Sequence, residues 1–385
     1  MNPKTDAAIA LLDRLVGFDT TSRDSNLPLI DWVADWLAER GIAAQKVMSP
    51  CGAKANLIAT IGAQGDGGII LSGHTDVVPV DGQDWHTDPF SLTRKQDRLY
   101  GRGSSDMKGF IACALAALPE LTKRRLNRPV HFAFSYDEEV GCFGTPGIVE
   151  HFREIGVKPA ICLIGEPTMM RVVNAHKGAA TYRTTLKGKE VHSSQTHLGV
   201  NTVIYGAELV NFIAGLAEER KTRVDPRYDP PWTSVHVGAM HGGTSVNIVP
   251  QHTEILWEYR AIAGDDGQDI KDRVQDFIVT RLLPRMRAVA PEADIVTEPI
   301  AEVVGLEPET DGPAETLIKR LLNTNATETV AFGTEGGIFQ VDGISTVVCG
   351  PGDIGVAHQP NEFIEVSQLG ACLDLLDRLA DHLQA

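Results

Sequence analysis

The stretch IILSGHTDVV (residues 69–78) decides the fold. Its bulky apolar residues are uninterrupted by polar ones, the mark of a strand buried on both faces. It runs through two small residues onto His74, with Asp76 two positions further on. Such a strand must have helices on both sides of its sheet. Two other runs have the same form: VHFAFSYDEEVG (130–141) ends on Asp137, Glu138 and Glu139, and AICLIGEPT (160–168) ends on Glu166. A fourth, TVVCGPGDIGVAHQPNE (346–362), places His358 a few residues beyond its apolar part. GRGSSDMKG (101–109) differs, since Asp106 stands at a glycine-rich helix start. Ligands of open α/β sheets bind beyond the carboxyl ends of the strands. Acids and imidazoles gathered there read as a metal site, and hence as hydrolysis.

Outward from these runs, helix and strand patterns alternate as far as Glu166. Helices are expected over 6–16 and 28–41, and strands over 55–61, 69–73, 129–136 and 160–165. A further helix begins after Asp106, with that aspartate as candidate N-cap. Beyond Glu166 the strands alternate apolar and polar residues, as in ATYRTTLKGKEVHSS, TSVHVGAM and TEILWEYRAI. With a helix over NTVIYGAELVNFIAGLAEE and another over 266–288, they read as an α+β sandwich with one solvated sheet face. From residue 311 the first style returns, with a helix in ETLIKRLL, a strand at 345–349 and a helix over 366–383. The fold class is therefore α/β with a partly parallel sheet. One domain covers 1–175 and 299–385, and an α+β domain at 176–298 is inserted into it.

Each candidate ligand except His358, which no helical or strand periodicity explains, also has an ordinary explanation. His74 and Asp76 fit a strand-end turn, Asp106 a cap, the Asp-Glu-Glu run a solvated turn, and Glu166 a loop acid. All these explanations would have to hold together at one sheet edge, which is improbable. In extended chain, residues i and i+2 point the same way, so Asp76 is expected to accept the second ring N–H of His74. Glu138 and Glu139, being adjacent, face opposite ways: one suits a metal, the other a general base. Two histidines with three or more carboxylates suit two metal ions sharing a bridging acid, roughly 3.5–4 Å apart. Mixed nitrogen and oxygen donors favour zinc, with cobalt or manganese as substitutes.

The formal charge is -16, from 51 acids against 35 bases. Neither nucleic acid nor an anionic membrane surface is an expected partner. The first fifteen residues carry acids within an amphipathic pattern and do not read as a signal peptide. Six scattered cysteines without a C-x-x-C pair fit a reducing cytoplasm. The chain has no G-x-S-x-G elbow and no G-x-x-x-x-G-K-[ST] loop, which excludes those routes to serine hydrolase and nucleotide chemistry.

SGHTDVVP, GRGSSDMKGF, DEEVGCFG, GEPT, GGTSVNIVP and AHQPNEF, in this order, resemble the co-catalytic dinuclear zinc hydrolases of the aminoacylase and carboxypeptidase type. The resemblance covers nearly the whole chain. It implies a zinc-peptidase-like catalytic domain, with a mixed central sheet flanked by helices, and an inserted lid that mediates homodimerisation. It implies two divalent metal ions: His74, Asp106 and Glu166 on the first, and Asp106, Glu139 and His358 on the second. Glu138 is then the base and the Asp106–Met107 bond is cis. His192 of the lid holds the oxyanion in a partner's site, while Asn247 and Arg260 bind the substrate. AHKG (175–178), FGTEGG (332–337) and CGPGDIGVAHQPNEF (349–363) resemble the branch that hydrolyses N2-acetyl-L-ornithine. Hydrolases of N-succinyl-diaminopimelate, N-acetylcitrulline and dipeptides share that chemistry. Glu335 of FGTEGG is expected to help select a cationic side chain. A small-molecule N-acyl amino acid is the expected substrate, with a non-catalytic binding protein on the same scaffold as the contrary reading.

Overall fold

In a computed structural model the chain is described over residues 2–265 and 267–384. It forms two compact units. The first comprises 1–175, 306–329 and 334–385; the second comprises 176–305 with 330–333.

The first unit is built on a mixed sheet. In spatial order its main strands are Ala44–Met48, Ala55–Ile61, Val130–Ser135, Ile69–His74, Ile161–Pro167 and Ser345–Gly350, followed by short Val173–His176 and Glu328–Val330. The central four are mutually parallel, with His74 opposite Ser135 and Ser72 opposite Ile164. Their carboxyl ends thus share one edge. Strands Val130–Ser135 and Ile69–His74 are buried at every position, which is why they read as unbroken apolar runs rather than alternating ones.

Helix Lys108–Lys123 is buried from Lys108 through Leu118. It packs against the helices Pro3–Val16 and Val366–His382 as well as the sheet, so being apolar all round is its proper pattern. Gly165 makes this seating possible. A Cβ there would lie 1.9 Å from the Phe110 ring, so only glycine lets the helix and the Glu166 strand approach so closely.

In the second unit four antiparallel strands run in the order Ser234–Gly242, His252–Ala261, Gly178–Lys187, Asp294–Val303. One face buries Tyr182, Leu186, Ile255 and Trp257 beneath the helices Thr202–Arg220 and Gln268–Phe277. Asn201 caps the longer helix, its Oδ1 accepting from Val203 and Ile204 N–H at 3.1 and 3.2 Å. Two boundaries differ from expectation. The return at 298/299 falls inside strand Asp294–Val303, which pairs with Gly178–Lys187 along its length, so the unit continues to Gly305. The helix expected over 266–288, whose first residue lies outside the described ones, gives way to a π turn at Ile278–Leu282. Pro284 follows after Leu283 and has no N–H to continue an i→i−4 ladder. Among the described residues no helix is long and apolar enough to cross a membrane.

His131 shows how the buried sheet treats a titratable group. It is 2% exposed, shares a hydrogen bond with the Thr60 hydroxyl at 2.9 Å and lies edge-on to Phe152. Burial pushes its pKa down to about 4. The unfolded chain therefore binds this proton first as pH falls, and stability present above the unfolded value of about 6.5 is lost toward 4. Between about pH 7.5 and about pH 5, this residue's share of the loss is about 2 kcal/mol. In urea titrations at the two pH values, His131→Gln is expected to show a correspondingly smaller decline than the parent protein. An equal decline in both would refute it.

Candidate metal centre

The parallel strands deliver His74, Glu166 and the Glu138–Glu139 turn to one edge, and two loops bring Asp106 and His358 to the same place. His74 is fully buried, and Asp106 and Glu166 are 5% and 4% exposed. His74 Nε2 lies 2.9 Å from Asp106 Oδ1 and 3.5 Å from Glu166 Oε1. His358 Nε2 lies 3.2 Å from Asp106 Oδ2 and 2.9 Å from Glu139 Oε2. Asp106 thus turns one carboxylate oxygen to each imidazole. Ligand atoms of His74, Asp106 and Glu139, and likewise of His74, Glu138 and Glu166, lie within 4.8 Å of one another.

The electrostatics of this cluster call for cations. Burial raises Glu138 and Glu166 well above the usual carboxylate range, with neighbouring carboxylates adding to the shift. Burial and the Asp106 charge raise Glu139 to about 7. Hydrogen bonds to Asp106 and Glu139 lift His358 to about 10. His74 is raised well above its ordinary value: burial opposes this, but Glu166 and Asp106 outweigh it. Burial likewise opposes ionisation of Asp106, yet bonds from His358 and His74 hold it below the usual range. Protein groups alone balance the cluster only by holding protons on imidazoles and glutamates. Divalent ions would take those protons' places. Glu166 Oε1 is buried without a hydrogen-bond partner, as suits an oxygen with a free lone pair for a metal. The donor set of two imidazole nitrogens and several carboxylates fits a pair of such ions.

Three expectations need correction. Asp106 is not the N-cap: the helix starts at Lys108, the cap position is Met107, and no side chain caps it. Its carboxylate is therefore left for the histidines, and the Asp106–Met107 bond is cis. Asp76 does not orient His74 chiefly through its carboxylate. The chain leaves the sheet after His74, so Nδ1 meets the Asp76 backbone carbonyl at 2.9 Å while carboxylate Oδ1 is 3.6 Å away. That carboxylate accepts the Ser22 hydroxyl at 2.7 Å and the Glu138 and Glu139 N–H groups at 3.1 and 3.3 Å. It holds the turn that bears both glutamates. Glu335 does not offer a carboxylate to a ligand's cation. The residue is 1% exposed, and its two oxygens accept the Ser72 and Ser135 hydroxyls, tying adjacent strands together behind His74.

Glu138 and Glu139 stand in a turn rather than in extended chain, so alternation does not set their directions, and each offers an oxygen within 4.8 Å of a His74 ring nitrogen. Glu139 meets His358, whereas Glu138 Oε1 accepts from the Cys142 thiol at 3.5 Å. His192, Asn247 and Arg260 belong to the second unit. There His192 is exposed, its Nδ1 2.8 Å from the Ser194 hydroxyl, and Ser193 N–H donates to the Asn247 carbonyl at 3.0 Å. The Arg260 fork engages Glu258 at 3.2 and 3.4 Å. Sequence reasoning missed Ser22, Gln83, Arg102, Cys142 and Glu362. Arg102, Cys142 and Glu362 stand inside conspicuous motifs, but nothing in those motifs tells what the side chains touch.

This centre is that of a metal-dependent hydrolase, and comparison with known proteins agrees. Residues 70–382 match the model of peptidase family M20/M25/M40. The acetylornithine deacetylase of Myxococcus xanthus is 35% identical, over 99% of each chain. That of Photorhabdus laumondii is 33% identical over 99% of this chain and 98% of its own. Among solved structures, the M20 metallo-carboxypeptidase Sso-CP2 from Sulfolobus solfataricus shares the fold, with a TM-score of 0.75 over 99% of both chains at 18% identity. The chain belongs to peptidase family M20/M25/M40. It is a hydrolase acting on amide bonds.

Proposed function

We propose that this protein hydrolyses N2-acetyl-L-ornithine to L-ornithine and acetate with two divalent metal ions, zinc by preference with cobalt or manganese as substitutes. The observation that carries the reading is Asp106, whose two oxygens face different imidazoles, with the half-buried Glu138 within reach of His74. Full-length similarity to two acetylornithine deacetylases supports the choice of substrate.

His74, Asp106 and Glu166 would hold one ion, and Asp106, Glu139 and His358 the other. Bound there, the ions lower the pKa of water and polarise the scissile carbonyl. Glu138 accepts the proton of the attacking water and returns it to the leaving amine. Burial raises this carboxyl above the usual carboxylate range, the direction that makes a carboxylate a stronger base toward water. Asp76 keeps Glu138 and Glu139 in place through their backbone N–H groups. From the second unit, His192 is assigned to the developing oxyanion, Arg260 to the substrate carboxylate and Asn247 to substrate binding. A cytoplasmic homodimer formed through that unit completes the proposal.

The test is hydrolysis by metal-replete protein of N2-acetylornithine, N-succinyl-diaminopimelate, N-acetylcitrulline and a set of dipeptides. N2-Acetylornithine is expected to give the highest kcat/KM, by about tenfold or more. Preference for any of the others would overturn the substrate assignment and leave the amidohydrolase class standing.

A further inference from the structure

Arg102 and Glu362 form an ion pair in which both side chains are 1% exposed, with Nη1 to Oε2 at 2.7 Å. Neither belongs to the ligand set. Removing two charges from water is costly, and apolar residues of similar size often stabilise a protein as well or better. Stability alone is therefore a poor account of this pair, whereas its further contacts give it a different use.

The Glu362 carboxylate accepts four donors. Oε1 takes the Ser105 and Asp106 N–H groups at 2.8 and 3.1 Å, and Oε2 takes Arg102 and the Gly103 N–H, the latter at 3.1 Å. Its backbone carbonyl accepts the Gly101 N–H at 3.0 Å. The loop that carries Asp106 is thus wrapped around one buried carboxylate. Arg102 extends the chain of bonds, since Nη2 donates to Gln83 Oε1 at 2.6 Å. Gln83 Nε2 in turn donates to the backbone carbonyl of His358 at 2.9 Å. A continuous path therefore runs from the Asp106 N–H through Glu362, Arg102 and Gln83 to the backbone of His358.

His358 needs such a tether. Its side chain is 51% exposed, so packing does not fix it, and its backbone is left-handed with φ 62°, a conformation disfavoured for residues with a Cβ. We infer that Glu362, Arg102 and Gln83 are positioning residues which set the spacing between the Asp106 carboxylate and the His358 imidazole. They thereby fix the affinity of the metal site formed by Asp106, Glu139 and His358. This inference rests on the two-metal reading of the preceding subsection.

The experiment titrates chelator-stripped full-length protein with Co(II), following visible absorption and heat, for the parent, Gln83→Ala and Glu362→Gln. The parent is expected to bind two ions. Gln83→Ala is expected to weaken one of them about 10–100-fold, the usual effect of losing an outer-shell partner, and to change the other by about twofold or less. Glu362→Gln is expected to weaken the same ion at least as much, because its amide NH2 must face N–H donors where an oxygen accepted. A purely structural role would lower the melting temperature of the metal-free variants and leave the ratio of the two affinities unchanged. That result, or parent-like affinities in both variants, overturns the inference. If Glu362→Gln does not fold, Gln83→Ala decides, since Gln83 is partly exposed. A parent protein that binds fewer than two ions refutes the two-metal reading itself, and does so before any variant is made.

Discussion

Glu138→Gln is expected to keep two bound metal ions and to lose about three orders of magnitude or more in kcat, combining the loss of general base and general acid. The substitution preserves shape and removes only the ability to take a proton. His74, Asp106, Glu139, Glu166 and His358 are untouched, and Asp76 still holds the Glu138 and Glu139 N–H groups. The measurement has to include metal content, because His74, Glu138 and Glu166 also lie close enough to act as ligands together. Loss of one ion with the substitution would make Glu138 a ligand; near-parental turnover with both ions present would remove it from the chemistry. In the parent, kcat/KM should fall as pH drops through the raised Glu138 value, since the base must be ionised to work. Burial sets the upward direction of that shift, and bound cations moderate it.

The two glutamates also show what a sequence can and cannot reveal. Two adjacent acids beyond a strand end were legible as candidates, but the directions of their side chains were not, because both stand in a turn where the alternation of extended chain no longer applies. The strand ends were legible: runs buried on both faces are almost uniformly apolar, so His74 and Glu166 stand out as the first imidazole or acid after them. The change to alternating burial over Gly178–Lys187 made the second unit visible in the same way. Other features depended on what the chain does after leaving an element, or on partners far away in it. Asp76 follows the strand, and once the backbone turned, its carboxylate served the Glu138 turn instead of His74. Asp106 looked like a cap because the motif resembles one, yet the helix begins two residues later. Glu362 lies 256 residues from the N–H of Asp106, and Gln83 lies 275 from the His358 carbonyl. No local pattern encodes such pairs. Glu335 failed for want of burial information: an acid in a glycine-rich motif reads as a surface ligand, and only the fold shows Ser72 and Ser135 taking both of its oxygens.

Asp106→Ala is expected to abolish binding at both metal sites and to reduce hydrolysis to background, whereas Glu166→Ala and His358→Ala should each weaken one site first. The asymmetry follows from geometry. Glu166 lies 3.5 Å from the His74 imidazole and Glu139 2.9 Å from that of His358, but Asp106 gives Oδ1 to the first imidazole and Oδ2 to the second. Its loss should exceed the ~10–100-fold cost of removing an outer-shell partner such as Gln83, and should do so at both ions. Without it His74 and His358 also lose a hydrogen-bond acceptor that raises their pKa values. In the metal-free variant both imidazoles should therefore deprotonate at lower pH than in the parent, a shift that histidine NMR titration reads directly. Competitive Co(II) titration of the three variants provides the decisive comparison. If Asp106→Ala retained one ion at parental affinity, the shared carboxylate would be a coincidence of packing. Asp106 would then serve one ion only, and Glu138, within reach of His74 and Glu166, would become the first candidate for the ligand position it leaves open at the other.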